Sequence, residues 1–141
     1  VVPGDLDAEF CDASCDFVIA HGIWNLARSA AEFRAAVGEA ARVAAAGAAL
    51  FVFTFSRNTC SPATVAVAGE PFVFTQFSGQ PQCFLTQEQL TSELAEVGFA
   101  PDPAVPLTEY NRPAPGARPV VPTPASPTRP VIYEAAFRFS R

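Results

Sequence analysis

Ala48-Ala49-Leu50-Phe51-Val52-Phe53-Thr54-Phe55 (AALFVFTF, residues 48–55) is the stretch that decides the fold. It is a continuous apolar run, rich in aromatics, and it is short. Such a run suits a strand covered on both faces inside a parallel sheet better than an alternating surface strand. A run of the same character, Phe17-Val18-Ile19-Ala20, lies upstream between Asp16 and His21-Gly22. Between the two, Ser29 can cap a helix that starts near Ala30, with Glu32 at the third helical position. Phe33, Val37, Ala40, Ala41 and Ala44 recur at helical spacing, and Gly47 supplies a stop after a helix ending near Ala45. Strand, helix and strand within about 40 residues make a βαβ unit with the two strands parallel.

Working outward, residues 56–85 are irregular and rich in Ser, Thr, Asn, Pro and Gly. A loop of that length in one domain is usually a lid or binding loop. Its Phe72, Phe74, Phe77 and Phe84 imply that it folds onto the body, and Phe72-Val73-Phe74 suits a short strand. Thr86 and Gln89 form a capping box for a helix with Leu90 and Leu94 inward, stopped by Gly98. A strand is expected near Val105–Tyr110. Ten of the 14 prolines lie between Pro101 and Pro130, so residues 111–130 read as an extended connector. Val131–Phe139 closes the chain as a strand. The last two strands suggest an antiparallel pair attached to a parallel sheet.

Composition narrows the function classes. The 141 residues are 50% hydrophobic and 16% charged, which suits one globular domain with one core. A formal net charge of −5 repels phosphate backbones, so no nucleic-acid partner is expected. No apolar run nears the roughly 20 residues that span a bilayer, and no leader pattern stands at the N-terminus. No membrane partner and a cytoplasmic location are therefore expected. Cys11, Cys15, Cys60 and Cys83 match no paired C-x-x-C spacing, so free thiols and no metal are expected. The chain lacks Met and opens on Val1-Val2-Pro3, which reads as a fragment of a longer frame or as a processed N-terminus.

Four pieces of sequence resemble one family. Gly4-Asp5-Leu6 with Phe10-x-Asp12-Ala13-Ser14-x-Asp16 is similar to "G-D-x … P-F-x-D-x-S-F-D". Ala41-Arg42-Val43 with Gly47 is similar to "RVLKPGG". Phe84-Leu85-Thr86-x-x-Gln89-Leu90, closed by Gly98-Phe99, is similar to "F-L-T-x-E-x-L … G-F". Together with the strand Phe17–Ala20, and in this order, they resemble the C-terminal two-thirds of a class I S-adenosylmethionine-dependent methyltransferase. The resemblance implies an α/β, doubly wound (Rossmann-like), mostly parallel sheet with an antiparallel C-terminal strand pair, truncated at its N-terminus. It implies S-adenosyl-L-methionine as cofactor and a small-molecule acceptor. The glycine-rich cofactor loop would lie upstream of Val1. Glu9 and Cys15 depart from the family's Pro and Phe.

The resemblance assigns Asp5 to the adenine amino group and the Leu6 backbone N–H to the ring. Asp5 reads equally as a turn residue. Ala20 and His21 end the strand, at the side where doubly wound sheets meet ligands. His21 is placed beside cofactor and acceptor, as a hydrogen-bonding group or a base, or else bonds nearby backbone. Trp24 is either a pocket wall or a core residue, and Phe74 and Phe77 are candidates for the acceptor surface. Methyl transfer from a sulfonium needs alignment above all, so the lack of a catalytic triad does not count against it. Three readings stand: a methyltransferase, a non-catalytic remnant or interaction module of the same fold, and another doubly wound nucleotide-binding enzyme. The missing first strands would leave an unpaired sheet edge, a surface for a homodimer.

Overall fold

The computed structural model describes residues 12–75, 79–111 and 130–140. Asp5, Leu6, Phe77 and most of the 111–130 connector lie outside the described residues. Strand β1 (Cys15–His21) leads through a 3-10 turn at Trp24–Leu26 to helix α1 (Ala30–Val43) and strand β2 (Ala44–Phe55). The long loop holds a two-stranded ribbon, β3 (Val73–Phe74) with β4 (Gln82–Cys83). Helix α2 (Gln87–Ala95) and strands β5 (Phe99–Pro101), β6 (Thr108–Tyr110) and β7 (Ile132–Phe139) follow.

β1 and β2 pair in parallel, as a βαβ unit requires. β7 lies antiparallel beside β2 and takes β5 and β6 on its other side. The order is therefore β1-β2-β7-β5, with β6 also on β7. The C-terminal strands form the expected antiparallel group, and the architecture is the doubly wound α/β class.

Both helices begin where their caps predict. The Ser29 hydroxyl accepts the Glu32 N–H at 3.1 Å. Thr86 and Gln89 exchange both bonds of a capping box, at 2.9 and 3.1 Å. At its other end α1 stops at Val43, two residues before the expected Ala45. Ala13 and Ser14 donate backbone N–H groups to the carbonyls of Arg42 and Val43 at 2.8 and 2.9 Å. The chain entering β1 thus satisfies carbonyls that the helix end leaves open. Gly47 lies inside β2 with φ of +77°, where the β1–β2 register shifts between Cys15 and Phe17. It serves a bulge in the strand and not a helix stop. The Val105–Tyr110 strand is also shorter than expected. Asp102 accepts the Ala104 N–H through its carboxylate and the Val105 N–H through its carbonyl. That turn holds 102–105 out of the sheet.

The larger core lies on one face of the sheet, and a smaller cluster of Cys60, Phe74 and Phe84 packs against Phe55. Ala48, Leu50 and Val52 of β2 and Tyr133, Ala135 and Phe137 of β7 are buried against Phe33, Val37 and Ala40 of α1 and Leu90 and Leu94 of α2. The opposite face differs from the expectation of strands covered on both sides. Phe17 and Ile19 of β1 are 57% and 59% exposed, and Phe51 and Phe53 beside them are half-buried. β1 pairs with β2 alone among the described strands, and both helices lie on the other side.

Candidate functional site

The parallel pairing brings the carboxyl ends of β1 and β2 together. At that end Gly22 takes φ of +65° and donates its N–H to the Phe53 carbonyl at 2.9 Å. The bond prolongs the pairing by one residue, and the left-handed backbone, natural to glycine, turns the chain off the sheet. A cleft of about 80 Å³ opens beneath this turn, lined by His21, Gly22, Asn25, Phe53, Thr54, Phe55 and Ile132. The exposed His21 ring leans on Phe53, with centroids 4.5 Å apart.

Two lining residues are polar and buried. Asn25 and Thr54 are 3% and 1% exposed, and Asn25 Oδ1 and Thr54 Oγ1 have no hydrogen-bond partner among the described residues. A buried polar atom left unsatisfied costs about 1–3 kcal/mol. Two such oxygens beside one cleft suit a place built to receive hydrogen-bonding groups. Among the described residues, the fully buried polar ones are Asn25, Thr54, Ser56 and Thr59; Thr54 is the penultimate residue of β2, and the other three follow the carboxyl ends of β1 and β2. The remainder of the core is apolar.

The sequence-predicted residues fare differently. His21 lines the cleft. Ala20 is buried with its side chain in the core, so only its backbone is placed to meet a ligand. Trp24 is a correction: it is buried in the core, edge-on to Phe33 at 6.0 Å, and does not line the cleft. The 3-10 turn directs the indole inward because α1 offers an aromatic neighbour there. Phe74 is likewise turned inward. It packs against Phe84 at 6.1 Å and lies under the Arg57 guanidinium at 4.4 Å, so its ring is buried inside the loop. The loop is held down at further points. Phe72 meets Phe33 edge-on at 5.2 Å, and Glu70 Oε2 accepts the Ala30 N–H at the start of α1 at 2.9 Å.

Asn25 and Thr54 escaped the sequence reading. Thr54 had a signal, as the one hydroxyl in an apolar run and close to its carboxyl end. Asn25 had only its place beside Trp24. Cys15, Cys60 and Cys83 are free thiols. Burial pushes Cys60 up to about 11 and Cys83 up to about 12, which leaves both as inert core groups near neutrality. No group of His, Cys, Asp and Glu able to hold a metal occurs among the described residues. No helix among them is long and apolar enough to cross a membrane.

The sequence matches no family model and no curated protein. Solved structures do match. The 1,6-didemethyltoxoflavin N1-methyltransferase of Burkholderia thailandensis superposes with a TM-score of 0.61 at 9% identity, over 92% of this chain and 46% of that one. A SAM-dependent methyltransferase from Methanosarcina mazei gives 0.60 at 16%, over 94% and 62%. The [4+2]-cyclase SpnF gives 0.63 at 15%, over 99% and 55%. The structure therefore has the fold of class I S-adenosylmethionine-dependent methyltransferases. The chain spans between about half and two-thirds of the length of these three structures. One of the three is named for a cyclisation, so the chemistry has to be argued from the site.

Proposed function

We propose that this chain is the C-terminal part of a methyltransferase that moves a methyl group from S-adenosyl-L-methionine to a small-molecule acceptor. The observation that carries the reading is the cleft at the paired strand ends, with its two unpartnered buried oxygens. Doubly wound sheets bind ligands at that end. The residues there suit one end of the cofactor. Its amino and hydroxyl groups can donate to Asn25 Oδ1 and Thr54 Oγ1, and Phe53 and His21 offer a flat ring wall. A volume of about 80 Å³ is below the roughly 300–1,000 Å³ of complete small-molecule sites, so the cleft takes a part of the ligand. Asp5 and Leu6, which precede β1, are assigned to the adenine edge.

The bound sulfonium supplies a methyl group already activated for displacement. The work left to this chain is to fix and align, which can account for much of a displacement rate. Asn25 and Thr54 anchor, Gly22 lets the backbone pass close by, and His21 is placed to hydrogen-bond the acceptor or take its proton. The negative net charge supports a small acceptor over a nucleic acid. The edge of β1, which pairs with β2 alone among the described strands, supports pairing with a second copy.

Thr54→Val tests the reading with two readouts of opposite sign. Removing a buried, unsatisfied hydroxyl raises stability in urea by about 1 kcal/mol, while S-adenosylmethionine binding to the full-length protein weakens by roughly tenfold, as loss of one hydrogen bond predicts. Calorimetry that detects no binding by the unaltered protein, or equal binding by the variant, overturns the proposal.

A further inference from the structure

We propose that Asn25 selects the acceptor, its side-chain amide donating to the carbonyl oxygen of a neutral planar ring of the cyclic-amide (lactam) class. The residue lines the cleft and is 3% exposed. Among the described residues its carboxamide has no hydrogen-bond partner, on oxygen or on nitrogen. Its oxygen is assigned above to the cofactor. The two N–H donors of the same group are left without a role.

Asn25 has no structural duty in its turn. An asparagine in a turn ordinarily bonds nearby backbone. Here the Leu26 N–H reaches the Ile23 carbonyl at 3.0 Å, and the Ala27 N–H reaches the Trp24 carbonyl at 3.2 Å. The 3-10 turn thus closes on its own backbone, and no side chain caps its start. Both flanks are pinned. The Trp24 indole packs on Phe33 in the core, and the Ala27 carbonyl accepts the Cys83 thiol at 3.3 Å. The buried amide is held in place by its neighbours and used by none of them. A polar group fixed and unpaired in a cleft is one prepared for a ligand.

The lining sets the charge of that ligand. Among the described residues it contains no Arg, Lys, Asp or Glu. An ammonium or a carboxylate would enter without a counter-charge, which is strongly unfavourable. A neutral group is admitted instead. Phe53, Phe55 and Ile132 make the walls apolar, which suits a planar unsaturated ring. The volume of about 80 Å³ is near half of the ~150 Å³ in which an engineered cavity holds benzene. One edge of a ring enters, and the rest lies at the mouth. That edge has to offer a lone pair to the Asn25 amide, and a carbonyl is the neutral group that does so.

A lactam adds what a methyl acceptor needs. Its carbonyl stands beside an N–H, and loss of that proton spreads negative charge onto the carbonyl oxygen. A bond from Asn25 Nδ2 steadies the oxygen as the charge develops. His21 lines the same cleft with its ring exposed, where an imidazole nitrogen can receive the proton. Naming the lactam as the methyl acceptor rests on the reading proposed above; the choice of a neutral carbonyl by Asn25 does not.

2-Pyridone, benzylamine and benzoate are suitable probes, a neutral lactam and two ions built on rings of the same size. Titrated into the 15N-labelled 141-residue chain, 2-pyridone should shift the Asn25 side-chain amide and the Gly22 backbone amide saturably. Benzylamine and benzoate should bind at least tenfold more weakly. Asn25→Asp keeps an oxygen for the cofactor and deletes the donor. It should weaken 2-pyridone at least tenfold, read at Gly22, with no loss of S-adenosylmethionine binding by the full-length protein. Equal loss of both ligands would leave Asn25 to the cofactor alone and overturns the proposal. If that variant does not fold, Asn25→Leu decides: it should lose 2-pyridone while its urea midpoint stays level or rises, and undiminished binding of 2-pyridone overturns the proposal. An Asn25 amide that ignores 2-pyridone, or equal binding of the two ions, overturns it as well. Lactam binding in a full-length protein that ignores S-adenosylmethionine would keep the role of Asn25 and remove the methyltransferase reading. The converse result would do the reverse.

Discussion

Along β2 and its neighbours, one backbone serves two different environments. Leu50 and Val52 point at α1 and α2 and are fully buried. Phe51 and Phe53, one residue away, share the other face with the exposed Phe17 and Ile19. The side chains of both faces are equally apolar, so what separates them is the layer placed over them. Most of the buried apolar side chains lie on one face, and the other is covered only at its end, where Phe55 meets Phe84. The other resembles an interface, because exposed apolar patches of that kind mark surfaces that meet something.

The largest expected effect breaks that symmetry directly. Phe33 is fully buried between Trp24 and Phe72, and Phe33→Ala should cost about 3–5 kcal/mol in urea unfolding. Phe17→Ala, which removes the same ring from the open face, should change stability by about 0.5 kcal/mol or less. Equal losses would mean that the open face is covered in solution. A smaller effect concerns association. Phe17→Lys with Ile19→Lys should leave the unfolding midpoint nearly unchanged while lowering the sedimentation coefficient of any self-associated species. A coefficient that does not move would locate the contact elsewhere.

The smallest effect lies at an ion pair on the open face. Arg138 Nε donates to Asp102 Oδ2 at 3.2 Å, and Arg138 also reaches the Gly47 carbonyl. The Ala104 N–H first, and then Arg138, hold the Asp102 carboxyl below its ordinary value of 3.8. A carboxyl depressed in the folded state contributes stability above its unfolded value. That contribution is lost as the pH falls through the folded value. Asp102→Asn should therefore flatten a shallow loss of stability below about pH 4, and an unchanged slope would show that the pair contributes nothing.

The covered face was legible in the sequence, and the open one was not. AALFVFTF and FVIA are continuous apolar runs, and continuity announces burial without saying what does the burying. Among the described residues Phe17 and Ile19 stay exposed, and no local pattern in the sequence reveals that. Caps were legible because Ser29 and Thr86 act within one turn of their own position. The ends set by distant groups were not, as α1 shows, where residues 13 and 14 close the helix. At the site, His21 could be placed because it ends an apolar run. Asn25 could not, since its meaning depends on a turn that closes without its side chain. Trp24 and Phe74 have the composition of a binding surface and the surroundings of a core, a difference only packing reveals.

The bond from the Ala30 N–H to Glu70 links two segments 40 residues apart. The first turn of a helix has no internal partner for that N–H, so its protection from solvent depends on the loop lying in place. The amide of Ala30 is thereby a reporter carried by the chain itself. Its rate of hydrogen exchange measures how often the loop lifts away from the start of α1, with no label added to the loop.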